Sequence, residues 1–272
     1  MDARIKSGHE VLIATPVLDA PNNADRIEMN SDKAAEVSRD YIRSAASDPS
    51  QVTARMSLAQ FTATVFEDVA SELHLAGHFL GKDRLEGCSP FGHGSDSTVA
   101  VSMLLKIASQ LVSASADLIA DGRHYAGAAL VRQLVEVEYL AWAFETKDEE
   151  ASRWLRSKRD ERKSFFTPAK LRAAAGKRFR SVDYGYHCEL GGHPVPGSWM
   201  LLNDDVATAQ LMLSDCLGHS GRIWDHTIGW AASQAHCACV LSKAPEMLLR
   251  YSEWKKIDRL TSLPPPPPDL LD

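Results

Sequence analysis

At 272 residues, 44% of them hydrophobic, the chain has enough apolar mass to bury a sizeable core, which excludes disorder of the whole. A net charge of −6 argues against general nucleic-acid binding. Five cysteines (Cys88, Cys188, Cys216, Cys237 and Cys239) are odd in number and lack a framework spacing, so they exclude a disulfide scaffold and read as reduced thiols in a cytoplasm.

Residues 1–30 carry Pro16, Pro21 and Asn22-Asn23 without a sustained period, so an N-terminal arm is expected there. The run Val11-Leu12-Ile13-Ala14 is closed at once by Thr15-Pro16, too short for a secretory core. A helix is predicted from the Ser31-Asp32 cap to about Ser47, and a second from near Ser50 through Leu73, ended by Gly77 and Gly81. Gly87 to Gly94 reads as a loop. Ser95 or Ser97 then caps a long helix to about Asp121, and Asp121-Gly122 turns the chain into the next one.

That next helix, roughly His124 to Glu145, is apolar nearly all round. Between Ala126 and Phe144 its only charged residues are Arg132, Glu136 and Glu138, which predicts a central, buried helix. Arg132 and Glu136 stand four apart on one stripe with Val135, Tyr139 and Leu140. Such a desolvated pair must be satisfied, and buried pairs rarely add stability over apolar replacements. The pair is therefore either an internal strut or part of a site.

A basic helix is expected from about Glu149 to Lys163, a short one from Thr167-Pro168 to Gly176, and another over Phe179 to Leu190, stopped by Gly191-Gly192 and His193-Pro194. Asn203-Asp204-Asp205 caps a long helix to about Gly229, and a last helix ends near Tyr251 or Lys256. Pro264 to Pro268 form a polyproline tail, either a spacer or a ligand for the aromatic groove of a protein partner. No segment alternates as a strand. No stretch was found to approach the roughly 20 apolar residues of a membrane span, so no membrane partner is expected. The expected fold class is all-α, a helical bundle of about seven to nine helices: a single domain over 31–260, with the arm at 1–30 and the tail at 261–272.

P-loop, glycine fingerprint, nucleophile elbow and HExxH motifs are all absent from the sequence, which removes many enzyme classes. What stands out is the charge between Arg153 and Arg180, where eleven basic residues face only Asp160 and Glu161. Arg153, Arg156, Arg159, Lys177 and Arg178 could form a phosphate-attracting face for RNA, or pair with acidic neighbours in the fold. The segment ends in Arg180, Tyr184, Tyr186, His187, Glu189 and His193. His titrates near neutrality and suits proton transfer, while Arg stays ionised and suits phosphate stabilisation. Arg180 and His187 lie seven apart, two helical turns; Arg4 and His9 meet a similar spacing without that context. Trp154 within the basic helix could stack on a base or pack between helices. For metal, His74 with His78, Cys216 with His219, and His236-Cys237-Ala238-Cys239 have chelating spacing. There is no paired CxxC array, so neither a metal nor another cofactor is expected.

From Tyr125 through Trp199 the sequence resembles the HEPN superfamily of helical domains, particularly its abortive-infection branch. The resemblance rests on Ala129-Leu130-Val131-Arg132-Gln133-Leu134-Val135-Glu136, the charged helix after it, and Tyr186-His187-Cys188-Glu189-Leu190-Gly191-Gly192-His193-Pro194. It implies a homodimer and a toxin or antiviral-defence role as a metal-independent endoribonuclease. Arg180 or Arg132 would stabilise phosphate beside Glu136, His187 or His193 would move protons, Tyr186 would position substrate, and the Arg153–Arg180 face would hold RNA. The alternative is a noncatalytic HEPN-like module that binds a partner protein, RNA or a nucleotide.

Overall fold

The computed structural model describes residues 50–79, 95–176, 178–179, 181–202, 205–234 and 237–257. The expected arm, the helix over 31–47, the 87–94 loop, the proline tail, Lys177, Arg180 and His236 lie outside the described residues. Every regular element among those described is helical, so the fold class is all-α.

Helix α1 (Ser50–Phe79) runs through Gly77, and its bound at Phe79 falls between Gly77 and Gly81, where the sequence predicts its end. A Cβ on Gly77 would lie 2.6 Å from Val99 Cγ2, so the glycine is there for a close crossing, and its carbonyl accepts from the Ser95 amide at 2.7 Å. Ser95 caps α2 (Asp96–Ala120), its side chain accepting from the Thr98 amide. By length and composition α2 could cross a membrane, contrary to the expectation that no stretch would; 67% of its apolar window is buried in the fold, as in the core helix of a globular domain. A turn through Gly122 (φ 74°) reverses the chain into α3 (His124–Thr146), within a residue of the expected span.

The expected single basic helix is two, α4 (Asp148–Arg156) and α5 (Arg159–Phe165). The break has a local cause: Ser157 Oγ donates to the Trp154 carbonyl at 2.6 Å, an alternative to the helical ladder, and Ser157 takes an extended ψ of 134°. Arg156 meanwhile turns inward to Asp96, which is completely buried at the first turn of α2. Next come α6 (Pro168–Ala174) and α7 (Ser181–His187), then a π turn over Cys188–Gly192 and a 3₁₀ helix over Pro196–Leu202. Asp205 caps α8 (Val206–Ala232) by accepting from the Thr208 amide at 2.8 Å, and α9 (Ala238–Ile257) follows.

Helices α1, α2, α3 and α8 pack around one core, with α9 laid across α1 and α8 and α4 against α2 and α3. Phe66 of α1 stacks on Trp224 of α8 with ring centroids 6.0 Å apart, and Leu134, Leu213 and Leu217 are completely buried beside them. The segment from α6 to the 3₁₀ helix covers an outer flank of α3. Its tightest point is Gly191, where a Cβ would fall 2.4 Å from the Ala128 carbonyl carbon. Only a glycine lets the π turn press onto the backbone of α3 there.

Candidate functional site

Two polar clusters lie along α3. Residues 136 and 138 are separated by about 200° around a helix. That rotation sends Arg132 and Glu136 toward α7 and Glu138 toward α8.

In the first cluster Arg132 Nη2 donates to the Tyr184 hydroxyl (2.9 Å) and pairs with Glu136 (3.0 Å), while Arg132 Nε reaches Cys188 Sγ at 3.5 Å. Tyr184 in turn donates to Glu136 Oε1 at 3.1 Å, which closes a triangle. The Arg172 guanidinium lies over the Tyr184 ring, 4.4 Å from its centroid. The Cys188 contact raises Arg132 further, with Glu136 adding to it against the effect of burial. Burial and the Glu136 charge push the Tyr184 phenol up to about 12, so it stays a donor at neutral pH. The expected full desolvation of the Arg132–Glu136 pair is not what the structure has. Their side chains are 27% and 34% exposed, because the α7 segment covers this stripe only partly.

The second cluster is buried. Glu138, 4% exposed, accepts from Arg222 Nε at 2.9 Å and lies 2.6 Å from His219 Nδ1. Arg222 Nη2 also approaches Nδ1, at 2.7 Å; a guanidinium can only donate and a carboxylate only accept, so the two make opposite demands on Nδ1, and with the Nδ1 proton assigned to Glu138, His219 Nε2 faces the other way. There it meets His187 Nε2 at 3.2 Å and Asp215 Oδ1 at 3.4 Å. Asp215 Oδ2 lies 3.6 Å from His187 Nδ1. The order Asp215, His187, His219, Glu138 thus sets two imidazoles between two carboxylates, with hydrogen-bond distances from His187 to Glu138 and a longer ionic contact at Asp215. Asp215, His219 and Arg222 share one stripe of α8 at i, i+4 and i+7, and His187 closes α7 above them.

Burial alone would raise Glu138, yet Arg222 and His219 outweigh it and hold the carboxyl at about 2. Asp215 is held well below the usual carboxylate range, burial being overcome by His187, His219 and Arg222. For His219, burial and the Arg222 charge push down while Asp215 and Glu138 push up, and the carboxylates win. The cluster as a whole favours positive charge between its imidazoles.

The sequence-derived candidates therefore fall into separate places. Arg132 and Glu136 sit in the first cluster and His187 in the second. His193 is exposed, one residue beyond Gly192, whose Cβ would lie 3.0 Å from Arg132 Cδ. Tyr186 is 43% exposed, its ring centroid 5.7 Å from that of His187. Within the basic segment, Arg153 pairs with Glu161 (2.9 Å) and Glu150 (3.5 Å), and Arg156 with Asp96, whereas Arg159 and Arg178 are exposed. Trp154 packs on Phe144, ring centroids 5.7 Å apart. Of the chelating pairs, His74 and His78 lie edge to face with centroids 4.4 Å apart. Cys216 faces Ser115 Oγ at 3.3 Å; burial pushes its thiol up to about 11 and that of Cys237 up to about 12. Sequence reasoning missed Glu138, Asp215 and Arg222. The available signal was the Asp215, His219, Arg222 stripe on an otherwise apolar helix.

Comparison of the chain with protein-family models, with curated proteins and with solved structures gives no match.

Proposed function

We propose that this is a HEPN-like helical protein that cleaves RNA at the face where the α7-to-3₁₀ segment meets α3, with Arg132 as the phosphate-stabilising group and His193 as the proton-transfer group. The observation that carries this reading is the seating of Gly192 against the Arg132 side chain, 3.0 Å from Cδ and 3.1 Å from Nε for a Cβ there, with the exposed His193 as the next residue in the chain. His187 is the weaker candidate. It is buried, and its Nε2 already meets that of His219 at 3.2 Å, so it does not face a substrate.

In the proposed reaction the 2′-oxygen attacks phosphorus and the bond to the 5′-oxygen breaks. One proton leaves the 2′-hydroxyl and one reaches the departing 5′-oxygen, giving a 2′,3′-cyclic phosphate and a 5′-hydroxyl. His193 accepts the first proton, and its counterpart in the proposed homodimer gives the second. Arg132 bears the charge that gathers on the phosphoryl oxygens, as a fixed cation does best in a partly dehydrated site. Tyr184 and Glu136 hold its guanidinium in place. The proposed role is defence-associated or toxin-like, in the cytoplasm.

A second reading, a noncatalytic HEPN-like module, draws its support from the same contacts. Arg132 already meets Glu136, Tyr184 and Cys188, as an internal strut would. Purified protein incubated with single-stranded RNA separates the two. The endoribonuclease yields fragments ending in cyclic phosphate, and both Arg132→Ala and His193→Ala lower their rate of formation by about 10²-fold or more. Intact RNA, or cleavage that survives both substitutions undiminished, leaves the module.

A further inference from the structure

We propose that His187, His219 and Asp215 form a binding site for a divalent transition-metal ion of the zinc class, with Glu138 as the carboxylate that orients His219. One ligand atom from each of the three residues lies within 4.8 Å of the others. The distances are those of a coordination sphere. Two ligands bound tetrahedrally at zinc–nitrogen lengths are separated by about 3.3 Å. His219 Nε2 stands 3.2 Å from His187 Nε2 and 3.4 Å from Asp215 Oδ1. For the carboxylate this spacing discriminates. Asp215 Oδ1, 3.4 Å from His219 Nε2, is beyond the ordinary N–H to oxygen hydrogen-bond length yet at the edge length of a tetrahedron, while its Oδ2 lies 3.6 Å from the other ring nitrogen of His187, Nδ1.

The outer groups fit as well. A metal-bound imidazole characteristically donates its second N–H to a carboxylate, which fixes the tautomer and strengthens the donor. His219 does this with Nδ1 to Glu138 at 2.6 Å, and Arg222 neutralises the far side of that carboxylate. With Glu138 so balanced, the Asp215 carboxylate faces the two imidazoles, and a divalent cation suits such a nitrogen and oxygen donor set. The imidazoles are 8% exposed and Asp215 is 39% exposed, so the fourth position opens toward solvent on the Asp215 side. Because His187 ends α7 while the other two ligands belong to α8, the ion ties the covering segment to the core. This holds whether or not that segment cleaves RNA.

The competing occupant is a proton shared by the two imidazoles. Protein purified without a metal column or chelator is expected to carry about one zinc ion per chain by elemental analysis, as a three-ligand site would. After chelator treatment, Zn²⁺ should bind with measurable heat, and Co²⁺ should give the intense visible bands of tetrahedral coordination. His187→Gln and Asp215→Asn should lose the metal. Glu138→Gln should weaken it about 10- to 100-fold, the usual effect of removing an orienting carboxylate. His74→Ala, in the other chelating pair, should leave it unchanged. Circular dichroism checks that each variant stays helical; if His187→Gln does not, the half-exposed Asp215→Asn and the wild-type Co²⁺ spectrum decide. Absence of Zn²⁺ binding, an octahedral Co²⁺ spectrum, retention of metal by Asp215→Asn, or its loss in His74→Ala overturns the proposal.

Discussion

Arg132 and Glu138 stand less than two turns apart on α3, in the same apolar surroundings by sequence, yet they occupy opposite kinds of environment. Arg132 works at a half-covered flank, in a small triangle with Glu136 and Tyr184 that solvent still reaches. Glu138 lies in the interior, 4% exposed, where each of its oxygens meets a cation or an imidazole. What separates them is rotation about the helix axis, which turns one toward a short, partly covering segment and the other toward the long helix α8. The same residue types thereby acquire different uses: an Arg–Glu pair near water is adjustable and suited to a ligand, while a buried carboxylate is committed to the groups that neutralise it.

The largest expected effect tests the buried side of this contrast. Glu138→Ala leaves His219 without its acceptor in the interior. Breaking a buried pair costs about 3–5 kcal/mol, and the lower end is expected here because half-exposed Arg222 can turn to water. Urea unfolding reads the loss directly, and a change under about 1 kcal/mol would mean that the chain through His219 carries no weight. Glu136→Ala, on the open side, should stay within about 1 kcal/mol. Arg132→Ala sharpens the other half. If Arg132 stabilises the transition state, RNA cleavage falls by about 10²- to 10³-fold while stability stays nearly unchanged. Equal losses of stability and activity would make Arg132 a strut.

The helices were legible where capping and periodicity agreed. Ser95, Asp205 and the Asp121-Gly122 turn mark α2, α3 and α8 within a few residues. Gly77 has a second use that one dimension hides, since it also permits the close crossing of α1 with α2. The basic stretch misled because its break rests on one serine bonding the Trp154 carbonyl, and the neighbouring Arg156 turns to Asp96, sixty residues earlier in the chain, a contact no local pattern shows. The second cluster was hidden for a similar reason. His187 belongs to α7, Glu138 to α3 and Asp215 to α8, and no spacing rule joins three helices. Arg132 and Glu136 stand out in the sequence because an i, i+4 pair is visible locally, whereas Glu138 reads as one more charge on the same helix.

A smaller effect tests how the α7 segment is seated on α3. Gly191→Ala would place a methyl 2.4 Å from the Ala128 backbone, and overpacking of that kind costs about 1–3 kcal/mol. Gly185→Ala is the control. Nothing lies within 4 Å of a Cβ there, and alanine in a helix is about 0.5–1 kcal/mol better than glycine, so that variant should gain stability. Opposite signs at two glycines six residues apart would establish that the segment is held by contact at one point and not by helix propensity. Equal signs would break that account.

The smallest expected effect concerns the basic segment, where the same open-versus-committed distinction recurs. Arg153 is committed: its Nε meets Glu161 at 2.9 Å, its Nη1 meets Glu150 at 3.5 Å, and its guanidinium lies 3.6 Å from the Phe165 ring centroid. Removing it should lower stability by no more than about 1 kcal/mol, since both its partners and its own side chain reach water. RNA affinity should hardly change, because a cation already paired with two carboxylates releases few counterions when a phosphate approaches. Arg159 is exposed and opens α5, the next helix of the same basic segment. If that segment holds single-stranded RNA, Arg159→Ala should reduce the slope of log affinity against log salt by about 0.7, the contribution of one phosphate contact, with no loss of stability. A slope that falls instead in Arg153→Ala would mean that RNA displaces the internal carboxylates, and the division between open and committed charge would then fail on this face of the molecule.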